Sequence, residues 1–426
     1  MGPENNNQLS REIKRLMFLF GFVYFAQGVA QASGLISQPL ALYLKEVLGF
    51  AADKSATYLA VLTIPWVVKP LYGLISDFVP LLGYRRKTWL VLMNGMAALA
   101  FLWLTGLTDA TTIRLAMLLT CIGTAASDVI IDALMVENGQ KYNATARFQS
   151  VQWLWFYVAA IATSLIGGYL CEWLSPESAL RVAALVTMFA PAAVVVLSWV
   201  VIKEEKARIN AAQLRDTRNG LLEAVKSRLL WAVALFLAFW NFSPSFGTPL
   251  FYHMMDTLHF SQKFIGQLSA IGAVGSVFGA WAYGYYFSKK TLRFQLLFSI
   301  ITGTIGTISY LLLVAPSPYA MAIAITLSLV FGASGMVAVL TTMTLAAQVC
   351  PKKAEGFTFS ALMSVNNGFA QLSAIFGAWL FVNVFGNSLT PLIWVSAGFT
   401  AACLALMPMI SGVKAAPDDT DGSDKN

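Results

Sequence analysis

Runs of about 20 apolar residues, separated by short polar loops, recur through the whole of this 426-residue chain. Hydrophobic residues make up 58% of the sequence and charged residues only 12%. A soluble domain carries about 25% charged residues, which argues against a soluble globular protein. Inside a bilayer the backbone groups must bond within the chain, so runs of this length fold as spanning helices. The strands of a porin-like barrel appear in the sequence as short segments of alternating hydrophobicity. This sequence lacks such segments, which excludes a barrel.

The sequence predicts an all-α polytopic membrane protein with twelve transmembrane helices. The longest internal hydrophilic stretch, residues 203–228, divides the predicted spans six and six. Two pseudo-symmetric halves joined by a charged connector are typical of the major facilitator fold, whose site lies between the halves at mid-membrane. The predicted spans are 16–44, 57–78, 88–107, 113–135, 147–171, 180–202, 229–252, 264–287, 293–314, 319–349, 358–385 and 389–411.

Basic residues are distributed unequally between the two sets of loops. Of the 28 Lys and Arg residues, 22 fall on the side that holds both termini, five fall on the other side, and Lys69 lies within a span. Cytoplasmic loops carry such an excess, so we expect both termini in the cytoplasm and the protein in an inner or plasma membrane. The predicted segments are a cytoplasmic N-terminus (1–15), a first half (16–202), a cytoplasmic linker (203–228), a second half (229–411) and a disordered cytoplasmic tail (412–426).

Three ionisable residues lie inside predicted spans: Lys69 in the second, and Asp128 and Asp132 in the fourth. At 1.5 Å per residue, Lys69 and Asp128 lie about 13 and 15 Å from the same membrane surface, so they can pair. Ions at this depth mark transport paths, and Lys69 is predicted to bind an anionic substrate or the paired acids. Asp128 and Asp132 share one helix face and are predicted to carry proton coupling. The alternative is a structural Lys–Asp pair that holds the first half together.

The loop after the second span resembles the loop signature of the major facilitator superfamily. It has Gly73, then Asp77 four residues on, then a glycine and the basic pair Arg85 and Arg86. Gly73 permits close helix approach, and Asp77 can pair with the arginines near a helix terminus. With Glu137 at the inner end of the fourth span, these residues are predicted to form a cytoplasmic latch that favours the outward-facing state. The alternative is an interfacial salt bridge that only fixes topology.

Over residues 16–385 the pattern resembles a narrower family, the folate–biopterin transporters. This resemblance implies a secondary active transporter that moves a folate- or pterin-like substrate by alternating access, with proton symport. The segment Leu154-Trp155-Phe156-Tyr157 departs from it, because the family tends to small residues there. The resemblance lies in Pro65-Trp66, Lys69-Pro70-Leu71-Tyr72-Gly73, Asp77, Gly83-Tyr84-Arg85-Arg86, Ser127-Asp128-Val129-Ile130-Ile131-Asp132, Phe148-Gln149-Ser150-Val151-Gln152-Trp153, Ser243-Pro244-Ser245-Phe246-Gly247-Thr248 and Asn366-Asn367-Gly368.

A flat heteroaromatic substrate needs aromatic faces for stacking and amides for hydrogen bonds. Side chains of these types lie in the fifth, seventh and eleventh spans, at related positions of the two halves. For each of them the alternative is a polar contact that packs helices together. The predicted substrate-binding residues, besides Lys69, are Gln149, Gln152, Trp153, Asn241, Asn366, Asn367 and Gln371.

Other cargoes and other classes of protein were weighed against this prediction. A permease of the same fold for another amphipathic anion, such as a muropeptide or a nucleoside-like compound, is the main alternative. A membrane enzyme would need a nucleophile with a base or a metal constellation. His253 and His259, expected on one outer loop, and four scattered cysteines supply neither. We expect no cofactor, no metal and no nucleic-acid partner, and a monomer whose partners are its small-molecule substrate, protons and the lipid bilayer.

Overall fold

The computed structural model describes residues 3–142, 144–204, 206, 226–350, 355–410 and 412. The side chains of residues 3–10, 77, 145, 146, 355 and 356 lie outside this description. Most of the linker and the tail also lie outside the described residues, so their assignment as cytoplasmic and disordered stays a prediction.

Sixteen α-helices are found in the described part of the chain. The first half holds α1 (Pro3–Ala30), α2 (Ser37–Glu46), α3 (Ala52–Val61), α4 (Ile64–Val67), α5 (Lys69–Phe78), α6 (Lys87–Leu104), α7 (Ala110–Tyr142), α8 (Thr145–Trp173) and α9 (Pro176–Val201). The second half holds α10 (Arg228–Asn241), α11 (Gly247–Asp256), α12 (Gln262–Tyr285), α13 (Leu292–Ser309), α14 (Ala320–Gln348), α15 (Glu355–Trp379) and α16 (Leu389–Leu406). Helix α1 begins well before the predicted span, and an Arg15–Glu12 ion pair at 2.5 Å lies in this added part.

Nine helices in the described ranges are long and apolar enough to cross a membrane. They correspond to all the predicted spans except the second, seventh and eleventh. The second span is divided into α3, α4 and α5, with Pro65 and Pro70 in the first turns of the last two. The seventh is divided into α10 and α11 around Pro244. The eleventh is one helix, α15, but carries Asn366 and Asn367, so it is less apolar. The polytopic all-α class is confirmed, and the count of twelve stays a prediction.

Small residues let the helices of each half approach closely. A Cβ atom added to Gly123 of α7 would clash with the backbone of Met93 in α6. In the second half Gly275 and Gly279 of α12 lie in the same way against the backbone of α14 at Leu329 and Ala333. Small side chains bring membrane helices within van der Waals contact, which is where apolar helices gain their packing energy.

The sequence suggested that His253 lies on a loop, but this prediction is wrong. His253 lies within α11, where its side chain is buried and its Nε2 atom is 3.0 Å from the carbonyl oxygen of Leu313. The broken seventh span resumes as a helix after residue 246, which carries His253 into the protein. His259 follows α11, in the left-handed backbone region with φ of 51°.

The two halves meet most closely at one end of the bundle, here called the Lys45 face, which holds Lys45, Asp53, Asp109, Glu172 and Asp256. Lys45 pairs with Asp256 at 2.7 Å, and the Tyr252 hydroxyl donates to the Phe50 carbonyl at 2.6 Å. The opposite end, here called the Arg86 face, holds Arg15, Arg86, Glu137, Lys141 and Lys289.

Next to the Lys45 face the halves also touch along α8 and α12. There Gly168 and Gly266 lie so close that a Cβ atom on either would clash with the backbone of the other helix. The Gln38 amide donates to the carbonyl oxygen of Gln262 at 2.8 Å, close to the same seam. These contacts between the halves therefore lie at or next to the Lys45 face.

Candidate functional site

A buried ion pair lies between α5 and α7, as the depth argument predicted. Lys69 Nζ lies 2.5 Å from Asp128 Oδ2, and Gln27 Nε2 of α1 donates to Asp128 Oδ1 at 2.6 Å. The Lys69 side chain is 20% exposed and that of Asp128 only 8%. The ammonium group is therefore the more accessible member of the pair. The Gln27 Oε1 atom is buried without a hydrogen-bond partner among the described atoms.

Asp132 lies one turn along α7 and has different partners. The Tyr24 hydroxyl of α1 donates to Asp132 Oδ1 at 2.5 Å, and Gln152 Nε2 of α8 lies at 3.5 Å from the same oxygen. Gln152 itself is almost fully buried. The two carboxyl groups share a helix face, as predicted, but Asp128 is held by a cation and Asp132 by neutral groups.

Local sequence explains why these groups lie where they do. Lys69 is the first residue of α5, so its side chain lies directly after the break that Pro70 helps to impose. On α7, Asn94 of α6 donates to Ser127 Oγ at 2.9 Å, which fixes the rotation of α7 next to Asp128. Lys69 at the break before α5 and Asp128 on α7 therefore face each other.

The break in the second span also contacts the second half. Asn367 Nδ2 of α15 lies 3.4 Å from the carbonyl oxygen of Trp66, and Gly368 faces Val67. The Trp66 ring lies 4.4 Å from Lys69 Nζ, measured to the ring centroid. Broken helices free backbone carbonyls, which are tolerated where they line a cavity or meet a polar side chain.

The other predicted binding residues are only partly brought together. Asn241 Nδ2 donates to Asn366 Oδ1 at 2.5 Å, which joins α10 to α15. Gln149 is exposed one turn from Gln152, and Gln371 is half-buried in α15. Neither gathers around Lys69 by any contact described. Their assignment as binding residues stays a prediction.

Trp153 lies at the centre of an aromatic cluster. Its ring is 6.2 Å from that of Tyr24, 5.5 Å from Phe156 and 6.1 Å from Tyr157, between centroids. The Tyr157 hydroxyl lies 2.9 Å from the sulfur of Met336 in the second half. The bulky residues that depart from the family pattern at 156 and 157 therefore pack on a predicted binding residue and narrow the space between the halves.

At the Arg86 face, Arg86 donates to Ser76 Oγ at 2.8 Å and pairs with Glu137 at 3.1 Å. Arg85 lies 3.8 Å from Glu137. A Cβ atom added to Gly73 would meet a Val129 side chain at 3.5 Å, an ordinary van der Waals distance. Asp77, the acid of the predicted latch, has its side chain outside the described residues, so its role stays a prediction.

Sequence reasoning missed three residues that hold these groups. Tyr24 and Gln27 are the partners of the two aspartates, and Glu204 accepts hydrogen bonds from the backbone N–H groups of Arg85, Arg86 and Lys87 at 2.9 to 3.1 Å. The signal for the first two was available, since a tyrosine and a glutamine three residues apart lie on one face of an otherwise apolar span. Glu204 gave no such signal.

In chemical terms, the arrangement is a buried ammonium group beside two carboxyl groups one helical turn apart, held by Gln27, Tyr24 and Gln152. The described residues contain no group of three His, Cys, Asp or Glu side chains placed to bind a metal ion. A bundle of membrane-spanning helices arranged in two halves is the major facilitator fold.

The chain belongs to the BT1 family, whose sequence model matches residues 27–425. It is 30% identical over 372 residues to the folate-biopterin transporter of Synechocystis sp., covering 84% of this chain and 73% of that protein. It is 26% identical over 323 residues to folate transporter 1 of Plasmodium falciparum, covering 74% of this chain and 62% of that protein. The resemblance drawn from the motifs, and the prediction of a transporter rather than an enzyme, are thereby confirmed.

Solved transporters share the fold at low sequence identity. The crystal structure of the nucleoside transporter NupG superposes with a TM-score of 0.71 at 14% identity, covering 93% of this chain and 99% of that one. The crystal structure of a D-xylose–proton symporter superposes with a TM-score of 0.67 at 12% identity, covering 94% and 97%. The predicted major facilitator fold is confirmed.

Proposed function

We propose that this chain is a secondary active transporter of folate- or pterin-like substrates that works by alternating access and is coupled to protons. Family membership and the similarity to proteins named for folate and biopterin transport support the substrate class. The single observation that carries the mechanism is the Lys69–Asp128 pair, because its cation is the more exposed member of a pair buried between α5 and α7.

An anionic substrate competes with Asp128 for Lys69. Folates carry carboxylates and a flat ring, and the ring of Trp66 beside Lys69 offers a stacking face next to the charge. When substrate takes Lys69, Asp128 keeps only the hydrogen bond from Gln27. A buried carboxylate that loses its cation is costly, and taking up a proton removes that cost. Substrate binding and proton binding then favour each other at one site.

Asp132 supplies a second proton site in this scheme. Its partners Tyr24 and Gln152 are neutral, so a proton on Asp132 needs no charged group to move. The two carboxyl groups lie one turn apart on the same face of α7. We therefore assign coupling to the pair rather than to one aspartate, with Tyr24 as the group that orients Asp132.

The second half contributes amides. Asn367 contacts the Trp66 carbonyl, and Asn241 and Asn366 pair beside it on α10 and α15. A substrate that bonds to these amides from one side and to Lys69 from the other joins the halves. Gln149, Gln152, Trp153 and Gln371 complete the proposed lining.

The excess of basic residues assigns the Arg86 face to the cytoplasm of an inner or plasma membrane, with both termini inside. The halves are joined at the Lys45 face, so the conformation described is closed to the outside. The expectation that the latch favours the outward-facing state stays a prediction. A monomer suffices for the scheme, since both halves of the site lie on one chain.

The test is uptake of radiolabelled folate and biopterin by proteoliposomes, with and without an imposed pH gradient. We expect accumulation that is driven by the gradient and abolished by a protonophore, with Lys69→Ala vesicles as the control for leak. Muropeptide and nucleoside competitors, added unlabelled, examine the alternative cargoes. Failure of both labelled compounds to enter under any gradient, together with uptake of another anion, would overturn the substrate assignment.

A further inference from the structure

A groove of about 1110 Å³ opens at the Lys45 face, away from the Lys69 site. One wall is formed by α3 and the start of α7, in the first half, and the other by α15 and the break before α11, in the second half. The groove thus lies along the seam where the halves are joined. None of the residues assigned above to substrate or protons lines it.

The groove is polar at its mouth and apolar along its floor. Lys54 and Arg114 lie at the mouth with the Asp53 carboxylate and two threonine hydroxyls, those of Thr57 and Thr111. The floor carries a ladder of nearly parallel rings. Phe242 and Phe376 are stacked with centroids 5.6 Å apart, and Phe376 and Trp379 follow at 6.1 Å. Leu372 and Trp379 are about half exposed, at 49% and 47%.

The two cations are held by aromatic rings rather than by carboxylates. Lys54 Nζ lies 3.9 Å from the centroid of Phe50, and the Arg114 guanidinium lies 5.6 Å from that of Tyr58. Among the described residues, neither forms a salt bridge. Cations placed over ring faces keep their outer side available for an anion.

The acids nearby are already bonded to other groups. Asp53 accepts hydrogen bonds from Asn383 at 3.3 Å and from the backbone of Lys54 at 2.7 Å. Asp109 accepts from the backbone N–H groups of Thr112 and Thr111, and the bond from Thr112 is the main cause that lowers the pKa of its carboxyl group. The charge of Arg114 also lowers the pKa of Asp109, but neither acid forms a salt bridge with Lys54 or Arg114 among the described residues.

We propose that this groove binds one anionic phospholipid, with its phosphate at Lys54 and Arg114 and an acyl chain along Phe242, Phe376 and Trp379. The polarity of the groove matches a lipid along the membrane normal, with the charges at the helix ends and the rings deeper in the bilayer. A basic side chain near the surface contributes about 1 kcal/mol toward an anionic headgroup. Because the walls come from both halves, the lipid stabilises the conformation in which the Lys45 face is closed.

The test uses the purified full chain in detergent, titrated with phosphatidylglycerol or phosphatidylcholine and examined by native mass spectrometry and thermal unfolding. We expect one phosphatidylglycerol to be retained with an affinity about thirtyfold above phosphatidylcholine, and to raise the unfolding midpoint. Lys54→Gln, an exposed position that leaves folding intact, should lower the preference about fivefold, and Lys54→Gln with Arg114→Gln should remove it. Arg181→Gln, an exposed cation of α9, is the matched control and should change nothing.

Trp379→Ala should weaken both lipids alike, because it removes the floor and not the charge. Equal retention of the two lipids by the parent chain, or an unchanged preference in the double variant, would overturn the proposal. Displacement of phosphatidylglycerol by folate, one molecule for one, would also overturn it and make the groove a vestibule for a soluble anion. None of these outcomes depends on whether folate is transported.

Discussion

The side-chain amide of Asn367 donates across the seam between the halves to the backbone carbonyl of Trp66, at 3.4 Å. The ring of Trp66 lies in turn 4.4 Å from Lys69 Nζ, and Lys69 pairs with Asp128. A short chain of contacts thus runs from the second half to the buried charges of the first. A movement of α15 relative to α4 changes what surrounds Lys69.

Trp66 is therefore expected to set substrate affinity. Trp66→Leu removes the ring face beside Lys69 and should raise the KM of folate uptake about fivefold, since a cation–π contact of this kind is worth about 1 kcal/mol. Trp66→Phe keeps a ring, so its KM should lie between that of the parent and that of Trp66→Leu. Trp281→Leu, at an exposed ring stacked on Tyr285 far from the site, is the control. Equal KM values for the Phe and Leu variants would show that the ring only packs.

Lys69 should be essential for transport. A second substitution should restore most of the stability lost with Lys69 but none of the transport. Lys69→Ala leaves the buried Asp128 without a cation, which costs about 3 to 5 kcal/mol of folding free energy. Adding Asp128→Asn removes the stranded charge and should restore most of the thermal unfolding midpoint, with uptake still absent. Lys69→Arg should recover little transport, because the planar guanidinium does not reproduce the ammonium geometry. Near-normal uptake by Lys69→Ala would contradict the assignment of Lys69 to the substrate site.

Asp128 and Asp132 should carry coupling rather than folding. Asp128→Asn or Asp132→Asn is expected to abolish accumulation driven by a pH gradient while sparing counterflow exchange, which needs no net proton movement. Tyr24→Phe removes the hydroxyl that Asp132 accepts from but keeps the ring against Trp153, so it should shift the pH profile of uptake without blocking it. The measurement is initial uptake rate against pH. Unchanged profiles in all three variants would make both aspartates structural.

At the Lys45 face, the hydrogen bonds of Tyr252 should matter more than the ion pair. Asp256 is 57% exposed, and an exposed pair contributes only about 0 to 1 kcal/mol. The Tyr252 hydroxyl contacts both the Phe50 carbonyl and Ser55 in a half-buried position, where each hydrogen bond contributes about 1 kcal/mol. Tyr252→Phe should therefore favour the outward-facing state more than Asp256→Asn does.

Solvent labelling of a single cysteine at position 147, on the Arg86 face, checks this in a background free of the four native cysteines. We expect slower labelling in Tyr252→Phe than in the parent, because opening the Lys45 face closes the other end. Adding Asp77→Asn should restore labelling if Asp77 belongs to the latch. Identical labelling in all variants would show that neither contact sets the balance of states.

Glu204 should anchor the start of the linker to the first half. Its carboxylate accepts from three successive backbone N–H groups at the start of α6, where the helix dipole also favours a negative charge. Glu204→Gln weakens these bonds and should lower stability by about 1 to 2 kcal/mol, read as a lower thermal unfolding midpoint. Glu177→Gln, in the first turn of α9, is the matched control. An unchanged midpoint in Glu204→Gln alone would contradict the anchor.

The sequence by itself determined the class of protein and the positions of the long apolar helices, and it placed Lys69 and Asp128 at depths where they can pair. These follow from hydropathy and from the constant rise of a helix, both of which are local, so counting residues placed the two charges at one depth. Prolines lie at the breaks in the second and seventh spans, but the sequence analysis treated the second as one continuous span.

Tertiary structure alone decided which neutral groups hold the aspartates, which polar residues meet across the seam and which face is closed. Tyr24 reaches Asp132 and Asn367 reaches Trp66 because of the rotation and tilt of whole helices, which packing between small residues such as Gly168 and Gly266 sets. Gln149 and Gln371 have suitable chemistry but gather around no charged group, and His253 is buried because a helix resumes after the break. The type of a residue determines what its side chain can bind, but the packing of the helices determines which groups lie within its reach.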